Sequence, residues 1–503
     1  MVTLAAFLAL VVLRGGVLYD PPYWDALLGL FPQAHWQALH GLSPWSLLSA
    51  QPGYVDGGAC VYPFSAIPTA LALLERALPD PEPRFAILHL ATFACASQAC
   101  GAVFRLTRRW GRGLAWLAAA AFLFQPGVQA LACQVGLEMP LVAAVACGVA
   151  ALVERRWAAS FAWAAAALLV KPTGVVLAAA ALCLLLARAL FPRLVGARAA
   201  GERAWTFAHA ALCAVFVAQI AVLHAFERAP AGTGFFQGLA PLATKRLWTV
   251  PEFGLALAVL ACAGFAAGLG RARAARARGA IPSPIPLAVS APALLLLAYL
   301  GLLAQWENAL PRYFIAAYPA VLVLLVEAGA RFAPRAAHGP AALGLTLFGL
   351  LGAHGRFHPD RPASFAAPGE STPLAANDGW LLERSLRYRD GLALDQELAR
   401  YASSRPEAAF VAPWPLQQAL VEPAFGYVER SVACASAETS VAWTREPPPS
   451  LAALRASGRD ILWILTPNDF GGAASRPLPG DEVVARFAVG EQRAVVVRRG
   501  NFP

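Results

Sequence analysis

The chain reads as a polytopic α-helical membrane protein of about 11 transmembrane helices, N-in and C-out, with a small C-terminal soluble α/β domain. Three observations predict this. Of 503 residues, 58% are hydrophobic and only 14% are charged, against about 25% charged in an average soluble chain. The charge is missing in blocks, and a bilayer demands apolar runs of about 20 residues. The basic residues gather between alternate runs, as the positive-inside rule requires.

The first run covers 3–18. No basic segment precedes it, Arg14 interrupts it, and no small-residue cleavage site follows. It therefore reads as an uncleaved first span rather than a signal peptide. It is short against the ~20 residues a bilayer needs, which points to a truncated start or a helix that sits high. Further runs follow at 85–104, 113–130, 139–153, 158–170, 174–191, 205–226, 251–269, 286–304, 313–331 and 339–354. Lys171-Pro172-Thr173-Gly174 separates two of them, and proline suits such a turn because it cannot continue the backbone ladder.

Arginines orient the runs. Arg105, Arg108, Arg109 and Arg112 form one group, Arg155 and Arg156 a second, and Arg188, Arg193, Arg198 and Arg203 a third. Arg271, Arg273, Arg276 and Arg278, then Arg331 and Arg335, complete the series. All occupy alternate loops, which places those loops in the cytoplasm. The loops 19–84, 131–138, 171–174, 227–250 and 305–312, and everything after about 355, then face outward. Residues 1–354 form the expected transmembrane domain, and 355–503 the extracytoplasmic soluble domain.

The net charge of +10 includes only two lysines, Lys171 and Lys245. The basic excess lies in short loops, as topology signal and anionic-lipid contact, and no basic soluble face exists for nucleic acid. Two Met and abundant Ala, Arg, Gly and Pro point to a GC-rich bacterial genome, hence to the bacterial inner membrane. Most of the nine cysteines lie in apolar runs as small hydrophobes. Cys60, Cys133 and Cys434 fall on the outward side, where a disulfide is chemically allowed.

The external loop 19–84 is rich in Trp, Tyr and Pro. Trp24, Leu27, Leu28 and Phe31 share one helical face, with Gln33, His35 and Gln37 off it, and Ile67, Leu71, Leu74 and Leu78 repeat the pattern. Both stretches read as amphipathic helices lying on the membrane. Beyond 356, a helix capped at Asn377 or Asp378 runs towards Ala402. Strand-like runs follow at 408–412, 461–465, 483–489 and 494–497, with a short helix at 450–457.

Candidate chemistry concentrates on the outward side. Asp25, after Tyr23-Trp24, is a carboxylate at the membrane edge, able to act as a general base or merely to favour a helix start. Asp20 precedes Pro21-Pro22 and is a rival, with turn formation its plainer role. Glu138 is isolated, since no Asp or Glu occurs between Glu82 and Glu138; an acid at a span boundary is costly and often functional. Lys171 and Arg312, the latter beside Tyr313, are outward cations suited to a lipid-linked phosphate. Asp56, before Gly57-Gly58, and Tyr62 are candidates for positioning substrate. His35, His40 and His89 lack metal-ligand spacing and read as structural.

Taken in order, Tyr23-Trp24-Asp25, Glu138-Met139-Pro140-Leu141, Lys171-Pro172-Thr173-Gly174 and Leu310-Pro311-Arg312-Tyr313 with Pro319 resemble the GT-C glycosyltransferase superfamily. The nearest resemblance is to the protein O-mannosyltransferases and lipid A aminoarabinose transferases, over about residues 1–354. The resemblance implies transfer of a sugar from a polyprenyl-phosphate donor to a lipid, glycan or protein acceptor on the outer face, with inversion. It assigns the first-loop acid to Asp25, the second carboxylate to Glu138 and phosphate binding to Lys171 and Arg312. Ala26 replaces the second acid of the family's common Asp-Glu pair, which keeps Asp20 in contention. Some relatives use a divalent metal and others do not, and a lone Asp25 with a distant Glu138 leaves a divalent metal possible and undecided. The alternatives are a transporter or flippase of lipid-linked saccharides, for which repeated halves are expected, and a non-catalytic membrane scaffold.

Overall fold

The computed structural model describes residues 1–23, 26–43, 64–197, 199, 201–226, scattered positions between 258 and 277, and 284–303, 311–332, 386, 388–413, 416–437, 450–466, 478, 480–490 and 492–499. The chain divides into two compact units. The first comprises Met1–Gly15, Ala91–Cys133 and Leu137–Gly355, and the second Gly16–Leu90, Gln134–Gly136 and Arg356–Pro503. The long first loop thus groups with the C-terminal segment.

Helices fill the described part of the first unit. Among the described residues, Pro81–Trp110, Pro172–Leu190 and Glu202–Ala221 are long and apolar enough to cross a membrane. Arg112–Leu123 and Pro126–Ala132 make a fourth candidate span bent by 59°. Shorter apolar helices cover Val2–Val17, Glu138–Val153, Trp157–Val170, Leu287–Leu302 and Phe314–Ala330. These helices account for nine of the eleven expected runs. The run at 339–354, and most of 251–269, lie outside the described residues.

The bend has a local cause. Pro126 has no N–H to continue the ladder, and the Gln125 side chain caps the new helix by accepting from Val128 N at 2.7 Å. Gln129 Nε2 donates to the freed Leu123 carbonyl at 2.6 Å, while Arg14 Nε donates to Gln129 Oε1 at 2.8 Å. The polar groups that a break exposes are therefore satisfied within the unit.

Glu138–Val153 is a covered helix, with every residue from Leu141 to Leu152 buried. A helix apolar on all sides must be covered on all sides. Gly148 allows a close approach, since a Cβ there would lie 2.3 Å from Leu177 Cδ2.

In the second unit, β1 (Ala408–Ala412), β2 (Cys434–Ser436), β3 (Asp460–Leu465), β4 (Glu482–Val489) and β5 (Gln492–Arg498) form one sheet of order β2-β1-β3-β5-β4. β1 runs parallel to β2 and β3, whereas β5 pairs antiparallel with β3 and β4. Four of these strands lie where the sequence pattern places them; β2, of three residues, is too short to carry a pattern. One face buries Ala409, Val411, Trp463, Leu465 and Val497 around Leu454. The helix Tyr388–Ser403 ends where expected, and the start proposed at Asn377 or Asp378 lies outside the described residues. Ser450 caps Leu451–Ala456 by accepting from Ala453 N at 3.1 Å.

The first-loop helices are Phe31–His40, entered through a π-helical turn Ala26–Leu30, and Ala66–Ala77. The structure corrects one detail of the sequence pattern. Gln33, His35 and Gln37, expected off the apolar face, are buried. The reason is packing on that side too. Arg76 of the second helix donates to the Ala38 and Gln37 carbonyls, and His35 lies between Glu75 and Glu422. Cys133 and Cys434 are buried free thiols, and Cys60 lies outside the described residues.

Candidate active site

In the first unit the sequence candidates Glu138 and Lys171 come together. Glu138 opens the helix Glu138–Val153, and Lys171 closes the helix Trp157–Val170. Each charge suits its terminus, because a helix dipole favours an acid at the start and a cation at the end. The two helices, of 16 and 14 residues, are about 24 and 21 Å long at 1.5 Å per residue. They are joined by a tight turn in which Arg155 adopts φ 57°. The start of one therefore returns beside the end of the other. Lys171 Nζ lies 3.1 Å from Glu138 Oε1, with the two side chains 14% and 15% exposed.

A turn of 3₁₀ helix, Pro172–Gly174, then feeds Val175–Leu190. It folds tightly back on the helix before it. A Cβ on Gly174 would lie 2.2 Å from the Ala167 carbonyl carbon and oxygen. Only glycine permits that approach, and it fixes the backbone that presents Lys171. The Thr173 side chain is hydrogen-bonded to Tyr299, which is buried in the helix Leu287–Leu303. The segment Pro311–Ala317 packs against the Glu138–Val153 helix. The backbone of Arg312 and Tyr313 thus belongs to an element touching the Glu138 helix, while their side chains lie outside the described residues.

Asp25, Asp56 and Tyr62 also lie outside the described residues. Asp20 is described and belongs to the second unit. Its carboxylate pairs with Arg389 Nε at 3.3 Å, and its carbonyl accepts from His89 Nε2 at 3.1 Å. Burial pushes its pKa up, against the pull of Arg389. Next to it, the Tyr427 hydroxyl donates to the Pro22 carbonyl at 2.8 Å, and the rings of Tyr23 and Tyr388 lie 6.1 Å apart. Asp20 is thereby tied into the packing of the Tyr388–Ser403 helix.

Sequence reasoning missed the ionic group around His35. Nδ1 lies 2.5 Å from Glu75 Oε1, and Nε2 lies 3.2 Å from Glu422 Oε2. Arg84 adds a contact to Glu75 Oε2 at 3.4 Å and donates to the Ala424 carbonyl. Burial opposes charge on the ring, but hydrogen bonds to Glu422 and Glu75 outweigh it and push its pKa up to about 9. Its partners come from distant parts of the chain, so no local spacing announces them.

Also missed was Arg188 with Glu202, in the first unit. Nε and one terminal nitrogen hold the two carboxylate oxygens at 3.1 and 3.2 Å, and the remaining donors reach the Ala197 and Val195 carbonyls. Among the described residues, no three His, Cys, Asp or Glu side chains gather as a metal site.

No protein-family model matches the chain, and neither does any curated protein sequence. Similar solved structures include ArnT from Cupriavidus metallidurans in the apo state, at 14% identity over 98% of this chain and 97% of that one, with a TM-score of 0.45. ArnT from the same organism bound to undecaprenyl phosphate gives 15% identity, coverage of 99% and 98%, and a TM-score of 0.46. The Archaeoglobus fulgidus oligosaccharyltransferase complex with Zn and sulfate gives 14% identity, coverage of 86% of this chain and 62% of that one, and a TM-score of 0.42.

Proposed function

We propose that this protein is an inverting membrane glycosyltransferase that moves a sugar from a polyprenyl-phosphate donor to an acceptor on the extracytoplasmic face of the bacterial inner membrane. The observation that carries the reading is the Glu138–Lys171 pair at one end of an apolar helical hairpin, part-exposed and backed by a turn that only glycine allows. A cation held at the end of a span is placed to meet a phosphate at the headgroup level.

In this reading Lys171 neutralises the donor phosphate, so that phosphate leaves without being protonated. Glu138 holds the ammonium in place, and Arg312 adds a second cation. Asp25 removes the acceptor's proton, help worth on the order of 10²–10⁴ in rate. The acceptor oxygen forms its bond to the anomeric carbon from the face opposite the phosphate, the carbon–phosphate oxygen bond breaks, and the configuration inverts.

The test is an in-membrane transfer assay with a panel of undecaprenyl-phosphate sugars, run on wild type, Asp25→Asn, Lys171→Ala and Arg312→Ala. Transfer from one donor, abolished by Asp25→Asn with folding and insertion intact, is the expected result. A weaker donor KM in Arg312→Ala and Lys171→Ala completes it. Full transfer by Asp25→Asn removes that residue from the mechanism, and an unchanged donor KM in both cation variants removes the phosphate role. Net movement of the lipid-linked sugar across the bilayer without transfer supports the flippase alternative.

A further inference from the structure

The second unit holds a cavity of about 620 Å³ walled by Arg400, Arg405, Arg430 and Arg459. We infer that it binds a phosphate-bearing ligand of sugar-phosphate size through residues of the second unit, none of them shared with the Glu138–Lys171 pair.

Topology builds the hollow. β2, β1 and β3 are adjacent and parallel, so their N-terminal ends open on the same side. Arg405, Arg430 and Arg459 each come shortly before one of these strands, and Arg400 lies in the last turn of the helix Tyr388–Ser403. The helix C-terminus alone accounts for one cation, since the dipole favours a positive side chain there. It gives no reason for Arg430 and Arg459.

The state of these arginines is informative. Arg498, at the end of β5, and Arg499, just after it, are each engaged by acids, Asp460 and Glu482 for the first and Asp481 for the second. Among the described residues, none of the four cavity arginines forms an ion pair. Asp460, within electrostatic range of Arg405, is already held by Arg498 at 2.9 and 2.6 Å. Glu429 is the one acid in the wall. Arg405 is oriented by its own packing, with its guanidinium 4.7 Å from the centre of the Tyr401 ring.

Four like charges around one hollow repel each other until an anion enters, and guanidinium forks match phosphate oxygens two at a time. The volume suits a small-molecule ligand, for which pockets run about 300–1,000 Å³. A phosphorylated saccharide and a phospholipid headgroup share this chemistry.

The experiment uses the full chain in phosphatidylcholine nanodiscs, with inorganic phosphate and then glucose 1-phosphate titrated calorimetrically at about 0.1 M salt, where surface charges beyond ~10 Å are screened. Wild type is expected to bind glucose 1-phosphate saturably. Arg405→Gln/Arg430→Gln should bind at least tenfold more weakly, the scale set by charge-assisted hydrogen bonds. Arg486→Gln, on exposed β4, should keep the wild-type affinity. Competition by phosphatidylglycerol in the nanodisc assigns the ligand to a lipid headgroup, and its absence assigns it to a free phosphate; both support the site. Equal affinity in wild type and the double variant, or no binding by wild type, overturns it. Loss in Lys171→Ala but not in the double variant assigns the phosphate to the membrane pair instead, and also overturns it. Should the double variant fail to fold by circular dichroism, the exposed Arg459→Gln carries the same comparison.

Discussion

Two ion pairs in the first unit, at opposite ends of the same run of helices, are built for different ends. Arg188 and Glu202 are almost fully buried, at 1% and 0% exposure, and the guanidinium is further capped by two backbone carbonyls. Such a pair has little capacity left for a further ligand. Glu138 and Lys171 meet one helix length away through one oxygen and one nitrogen, part-exposed beside a tight turn. An ammonium has three donors and swivels, so it can turn towards an arriving anion. The difference lies in geometry rather than in charge. The bidentate, capped pair staples helices, whereas in the proposed reading the part-exposed pair receives a ligand.

Four predictions press on that contrast. The largest effect is expected from Lys171→Ala, which should cut sugar transfer by about 10²–10³, as loss of one preorganised charge-stabilising group does, with little change in thermal stability. Arg188→Ala should do the reverse. It leaves Glu202 buried without its partner, a cost of about 3–5 kcal/mol, seen as lost yield and a lower Tm in detergent, while the correctly folded fraction keeps its specific activity. Equal losses of activity per folded molecule in the two variants would erase the distinction between them.

The third effect concerns pH. His35 has its pKa raised from 6.5 to about 9, so its contribution is fully present below about pH 6.5 and is lost as pH rises through about 9. On the order of 3 kcal/mol is at stake. Thermal melts of the second unit's circular dichroism should fall across that window, and His35→Gln should flatten the slope. A flat wild-type profile would show that the Glu75 and Glu422 contacts do not hold a charged ring.

The smallest effect is that of Gly174→Ala. A Cβ driven into the Ala167 carbonyl forces the turn to shift, with a typical overpacking cost of about 1–3 kcal/mol. Donor KM should rise because Lys171 moves with the turn. An unchanged KM would separate the turn from the site.

Much of the fold was legible because it follows local patterns. Apolar blocks marked nine helical runs seen among the described residues, and short apolar runs marked the strands β1, β3, β4 and β5. Glu138 and Lys171 were each legible alone, Glu138 by its isolation in a long stretch without acids and Lys171 by its rarity. Their contact was not legible, since it depends on the matched lengths of two helices and on how tightly the turn between them closes. The His35 and Arg188 clusters were invisible for a stronger reason. A buried ionic group is defined by partners that tertiary packing supplies, and Glu75, Glu422 and Glu202 sit in unremarkable sequence. Gln33 and Gln37 looked solvent-facing because an amphipathic pattern assumes one covered side, and here both sides are covered.

The central claim is that the Glu138–Lys171 end of the hairpin receives the donor phosphate. Its most direct test is the affinity of the purified protein for undecaprenyl phosphate, compared between wild type and Lys171→Ala at matched fold. The account predicts binding weakened at least tenfold, the loss of one charge-assisted contact. Equal affinity in the two proteins would contradict it.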